Sequence, residues 1–165
     1  MEQEAVLRMI RDYNACKAKA VQLEGELDIL ESQAEHAKAV EMAESALHGQ
    51  NLDGMPHAQG AGDPTGNLVA RFMDGYQPRY LRDLDDDIRG RKAALREMRI
   101  ICRTVDAWMT CLNDRERFIL SEHVIKGNFW GEVVRLYEQQ WGIITKEALK
   151  KAQKRALERI YEIAR

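Results

Sequence analysis

Residues 113–165 read NDRERFILSEHVIKGNFWGEVVRLYEQQWGIITKEALKKAQKRALERIYEIAR, and this stretch decides both the fold class and the functional reading. Asn113 and Glu116 have the side chains and spacing of a capping box, in which the cap accepts from a first-turn amide while the glutamate reaches back to the cap's N–H. A helix is therefore predicted to start there, with Phe118, Ile119, Val124 and Ile125 on its apolar side and Gly127-Asn128 as its stop. A second helix follows in FWGEVVRLYEQQWG, where Val133, Val134, Leu136 and Tyr137 form an apolar face bracketed by Trp130 and Trp141. Gly142 is expected to end it in the left-handed conformation. Ile143 and Ile144 are then expected to plug the angle between this helix and the next, with Thr145 as the next N-cap.

The last helix divides into two faces. Leu149, Ala152, Ala156, Leu157, Ile160 and Ile163 fall on an inner side, and Lys146, Lys150, Lys151, Lys154 and Arg155 fall outside it. Residues 145–165 hold seven Lys/Arg against three Glu, in a chain whose formal net charge is −2. Positive charge concentrated on one amphipathic helix fits the major groove of double-stranded DNA: the N-terminal dipole attracts a phosphate, and long cations neutralise the backbone. A solvated basic face is the alternative on charge alone, and the preceding helix and turn favour DNA. The expected DNA-binding residues are Thr145, Lys146, Lys150, Lys151, Lys154 and Arg155.

The same segment resembles region four of bacterial sigma factors. The likeness rests on a Leu-x-x-x-Glu start at Leu112 and Glu116, the break at Gly127, and a short helix. A Gly-hydrophobic-x-Thr turn at Gly142, Ile143 and Thr145 and the Arg-Ala-Leu of Arg155, Ala156 and Leu157 complete it. Over roughly residues 50–165 the chain is similar to the RinA/ArpU-type late transcription regulators of phages of Gram-positive bacteria. GMPHAQGAGDPTGNLVA at 54–70 resembles that family's loop, and Phe129-Trp130 its entry to the second helix. The resemblance implies a sigma-like helix-turn-helix and a phage or prophage activator of late genes, with double-stranded DNA and RNA polymerase as partners.

Outward from this segment, the chain reads as all-α: a long antiparallel helical hairpin followed by the helix-turn-helix. Residues 1–47 form the first long helix, since Val6, Met9, Tyr13, Cys16, Ala20, Leu23, Leu27, Leu30, Ala34 and Ala37 alternate at spacings of three and four. Gly25 lies off this seam. Residues 1–48 carry five Lys/Arg and ten Asp/Glu, the opposite sign to the last helix. The seam is either intramolecular packing or an oligomerisation arm, and a homodimer of paired hairpins satisfies both. Residues 78–112 keep the same beat at Leu81, Leu84, Ile88, Leu95, Met98, Cys102, Val105, Met109 and Leu112, interrupted by Arg91. Trp108 is expected to pack near the junction with the last segment. Between the two, residues 48–77 begin with HGQNLDGMPHAQGAGDPTG, whose five Gly and two Pro require a loop, followed by a short helix capped at Asp63-Pro64 through Val69, Phe72 and Met73.

Other chemistry finds little support. GAGDPTG lacks the Lys-Ser/Thr of a phosphate loop, and His48 and His57 lack partners at ligand spacing. The run Asp83, Asp85, Asp86, Asp87 fans around a helix and reads as a solvated acidic face. Cys16, Cys102 and Cys111 form no Cys-x-x-Cys pair and are expected to be small buried residues. Neither a cofactor, a metal nor an enzyme activity is expected. With no apolar span and an acidic start, the expected location is the cytoplasm of a bacterial host, away from membranes. Two other functions share these features: a DNA-packaging recognition subunit of the small-terminase kind, distinguished by a ring assembly, and a helical adaptor for RNA polymerase or another protein, distinguished by failure to bind DNA.

Overall fold

A computed structural model describes residues 2–48 and 78–165, the side chains of 44–48 excepted, and the described residues are helical with no strand. The loop and short helix expected within 49–77, including the Asp63-Pro64 cap, lie outside the described residues. The elements are α1 (Gln3–His48), α2 (Arg79–Thr110), α3 (Asp114–Ile119), a π-helical segment (Leu120–Ile125), α4 (Trp130–Trp141) and α5 (Lys146–Ile163). No helix among the described residues is long and apolar enough to cross a membrane. The chain divides into two compact units, Met1–Gln22 with Leu95–Arg165, and Leu23–Ala94.

In the unit Leu23–Ala94, alternating spacing places Leu23, Leu27, Ala34, Leu81 and Ile88 in the buried interior, where each large aliphatic side chain contributes about 1.5–3 kcal/mol of transfer free energy. Polar pairs flank them: Arg91 Nε donates to Glu26 at 3.1 Å, Lys38 Nζ to Asp85 at 3.2 Å, and the Tyr80 hydroxyl to Glu41 at 2.7 Å. Arg91, the one polar residue on the predicted seam of α2, is thus half-buried with a carboxylate partner on α1. Three of the four aspartates of the run are taken up in ion pairs, Asp85 with Lys38, Asp86 with Arg89 and Asp87 with Arg91. Gly25 is exposed within α1, and a Cβ there would meet nothing.

The other unit holds two apolar clusters, and the first of them brings together most of its elements. Val6 and Ile10 of α1, Val105 and Trp108 of α2, Leu112, Leu120 of the π-helical segment, and Ala156 and Ile160 of α5 are all buried together. Ile10 lies off the predicted seam. It is buried because the start of α1 packs against α5 as well as α2, which takes a wider apolar stripe than a two-helix seam.

The corner from α2 into α3 is fixed by hydrogen bonds. The α2 helix leaves carbonyls unsatisfied at its C-terminal end, and the Arg117 guanidinium donates to Met109 O at 3.2 Å and Leu112 O at 3.1 Å. Asn113 and Glu116 form the predicted capping box, Asn113 Oδ1 accepting from Glu116 N at 2.9 Å.

Two sequence expectations change here. Cys111 is exposed, since it follows the end of α2, whereas Cys16 and Cys102 are half-buried. Helix α3 also runs into a π-helical segment, with Lys126 N donating to Ser121 O at 2.9 Å across five residues. Ile119 packs into one apolar cluster while Leu120, Val124 and Ile125 pack into the other.

Burial raises the thiols of Cys16 and Cys102, reinforced for Cys16 by Cys102 itself and for Cys102 by Asp106. At mildly alkaline pH a thiol reagent is therefore expected to label Cys111 well before Cys16 and Cys102, read by peptide mass spectrometry. Equal rates at all three would contradict this packing. The Tyr13 hydroxyl donates to Asp106 at 2.6 Å, and this bond, then burial, then the aspartate charge push Tyr13 up from 10 to about 12. A raised folded-state value means that the bond's stabilisation is complete below pH 10 and is lost as pH rises through about 12. Absorbance titration of Asp106→Asn is expected to show one tyrosine moving back toward 10, and an unmoved curve would remove the bond.

Candidate nucleic-acid interface

The candidate surface lies on α5, and its geometry begins at the turn before it. Helix α4 ends at Trp141 and α5 starts at Lys146, leaving residues 142–145 as the connection. Gly142 has φ 93° and ψ −178°, an extended positive-φ region that is essentially closed to residues with a Cβ and is not the left-handed helical region expected from the sequence. Ile144 packs against the cluster below, but Ile143 is 98% exposed and does not plug the angle between α4 and α5. That cluster consists of buried Ile119, Val133, Tyr137 and Leu149, walled by Phe118, Trp130 and Trp141 among others. The Phe118 ring meets Trp141 edge-on at 4.9 Å, and Trp141 in turn lies 4.9 Å from Tyr137. Such contacts stabilise beyond their area by about 0.5–1.5 kcal/mol each, so aromatic packing holds α3 to α4, and α5 joins the same cluster through Leu149 and Ala152.

Thr145 is exposed and caps α5, its hydroxyl accepting from Ala148 N at 3.3 Å. Leu149, Ala156 and Ile160 are buried on the inner side, and Ala152 and Leu157 are half-buried beside them. Ile163 is 51% exposed, so the inner stripe ends one turn earlier than its spacing implied. Lys146, Lys150, Lys151, Lys154 and Arg155 are all exposed. Among the described residues, only Lys154 of these five has an acidic partner, Glu158 at 3.9 Å with 80% and 55% of the two side chains exposed, a contact worth little.

Charge along α5 is uneven. Residues 146–155 hold five cations and the single carboxylate of Glu147, whereas residues 156–165 alternate Glu158, Arg159, Glu162 and Arg165. Glu2 and Gln3 line a surface cavity together with Glu158, Tyr161, Glu162 and Arg165, so the acidic start of α1 lies beside the second half of α5 and not over the lysines. The first half also carries the positive end of the helix dipole. Its cationic surface can neutralise a polyanion.

Two fixings of this surface were not legible in the sequence reading. Glu116, 10% exposed, completes its capping box by accepting from Asn113 N at 3.3 Å and also takes the Arg159 guanidinium at 2.9 Å, which ties the first turn of α3 to α5. At the corner before α4, Glu122 is buried and accepts from Lys126 Nζ at 2.6 Å and Asn128 Nδ2 at 2.9 Å. His123 faces Asn128 O at 2.8 Å while its ring lies 4.0 Å from Trp130. The usable signals were Arg155-x-x-x-Arg159 at helical spacing and the five-residue step in apolar positions after Ile119.

Comparison with protein-family models, curated proteins and solved structures returned no match to this chain.

Because its backbone lies where only glycine is comfortable, Gly142→Ala is expected to lower stability by about 1–3 kcal/mol, measured by urea unfolding. Gly25→Ala, in open space inside α1, is expected to raise it by about 0.4–1 kcal/mol. Equal effects would show that the turn carries no backbone constraint.

Proposed function

We propose that this protein is a sequence-specific double-stranded DNA-binding transcription regulator, of the phage late-gene activator kind that the resemblance names, with α4, residues 142–145 and α5 acting as a helix-turn-helix. The observation that carries the reading is the exposed, unpaired set Lys146, Lys150, Lys151 and Arg155 on the outer side of a helix whose inner side is buried. A short glycine-bearing turn between two helices that share one apolar cluster is the arrangement of such a unit. Within it, Lys146, Lys150, Lys151, Lys154 and Arg155 contact phosphates and base edges. Thr145 sets the start of the helix, and Trp130, Trp141 and Ile144 fix its angle to α4.

The acidic α1 and the long α2 are read as an antiparallel hairpin that also mediates a homodimer. Support for the hairpin comes from pairs such as Glu26 with Arg91, Lys38 with Asp85 and Glu41 with Tyr80, whose partners step backward along α2 as α1 advances. Dimerisation places two helix-turn-helix units on one duplex, which is how such proteins read paired half-sites. Contact with RNA polymerase belongs to the same proposal, through the sigma-like segment.

Lys150→Ala/Lys151→Ala is expected to weaken binding to duplex DNA and to flatten its salt dependence by about two units of log–log slope. Fluorescence anisotropy across a salt series measures both. Parental affinity with a parental slope would discard α5 as the DNA contact.

A further inference from the structure

Where the first turn of α3 faces α5, a cavity of about 330 Å³ opens to the surface. Its charged lining is Arg115 and Glu116 from α3 and Arg155 and Arg159 from α5, beside Asn113, buried Ile119 and half-buried Ala152. Three guanidinium groups thus meet one carboxylate. That carboxylate is already committed, because Glu116 accepts from Asn113 N and from Arg159. Arg115 and Arg155 are exposed and have no acidic partner among the described residues.

The surplus of positive charge decides what the cavity takes. A metal cation is repelled by it, and a neutral ligand leaves the two free guanidinium groups unused. Planar N–H forks from two helices converge best on a tetrahedral oxyanion, which each fork can bind through two parallel hydrogen bonds. Arg159 adds a third positive group, held in place by Glu116 and therefore preorganised.

We propose that this cavity seats one phosphodiester of the duplex backbone, with Arg115 and Arg155 as its direct ligands and Arg159 as the fixed charge behind them. The proposal rests on the DNA-binding reading of α5 and extends it to α3, which the sequence did not single out. A phosphate held between α3 and α5 fixes the orientation of the reading helix on the duplex and carries no sequence information itself. Its loss therefore affects all sequences alike.

Arg115→Gln in the full chain tests this, because the Arg115 side chain makes no bond among the described residues whose loss would disturb folding. Anisotropy with a preferred and an unrelated duplex is expected to show a several-fold loss on both, with the salt slope falling by about one unit. Arg115→Lys should restore the slope while leaving affinity below the parent, since an ammonium keeps the charge and loses the fork. Parental affinity and slope in Arg115→Gln, alongside weakened binding by Lys150→Ala/Lys151→Ala, overturns the cavity site and leaves the α5 reading standing. Absence of duplex binding by the parent chain at low salt overturns both. If inorganic phosphate shifts the Arg115 and Arg155 side-chain resonances while the duplex affinity of Arg115→Gln is unchanged, the anion is a free phosphate, and the backbone assignment fails.

Discussion

The burial of Ala156 and Ile160 against Val6, Ile10, Val105, Trp108 and Leu120 is the constraint on which the rest of its compact unit depends. Without a partner for its apolar stripe, α5 has no reason to hold one rotational setting against the rest of the unit. Apolar contact along one stripe removes that freedom. With Leu149 seated in the second cluster near the other end of α5, the helix is fixed at two places along its length. Lys146, Lys150, Lys151, Lys154 and Arg155 are then exposed because the remaining directions are taken. The Arg159–Glu116 bond sets the same rotation from a third direction, and it does so through a side chain that also caps α3.

Much of this was legible in the chain because it follows from repeating spacing. All ten seam positions of α1 are buried or half-buried, as are the eight of α2 and Leu112 just beyond it, as one apolar stripe per helix demands. The capping box at Asn113 and the cap at Thr145 were legible for a different reason. Each needs only a side-chain acceptor and a local amide three residues on.

Features that depend on a third neighbour were not legible. Ile10 becomes buried only when α5 packs on the start of α1, and nothing within the sequence of α1 announces that partner. Ile143 looks like a core residue by type, yet the backbone at Gly142 turns it outward. Ile163 continues the three-and-four pattern of α5 past the point where there is anything to pack against. Cys111 belongs by type with Cys16 and Cys102, but it lies just beyond the last turn of α2. For the candidate interface, the cations named from the sequence all lie on the exposed side of α5. The guanidinium group of Arg115 joins that surface through tertiary packing alone.

Electrostatics separates the unit into regions of different sign. The acidic start of α1 sits with Glu158 and Glu162 at one end of α5, while the uncompensated cations gather at the other. An acidic neighbour of this kind makes that end of the helix the less favourable one for a polyanion. In the proposed function, a duplex lies on the first half of α5. Lysine acetylation footprinting of the full chain, with and without duplex DNA, tests it most directly. Protection confined to Lys146, Lys150, Lys151 and Lys154, with Lys17, Lys38 and Lys92 modified as before, is the result expected. Equal modification of all lysines in the presence of a bound duplex, or protection of Lys17 and Lys38 instead, would contradict it.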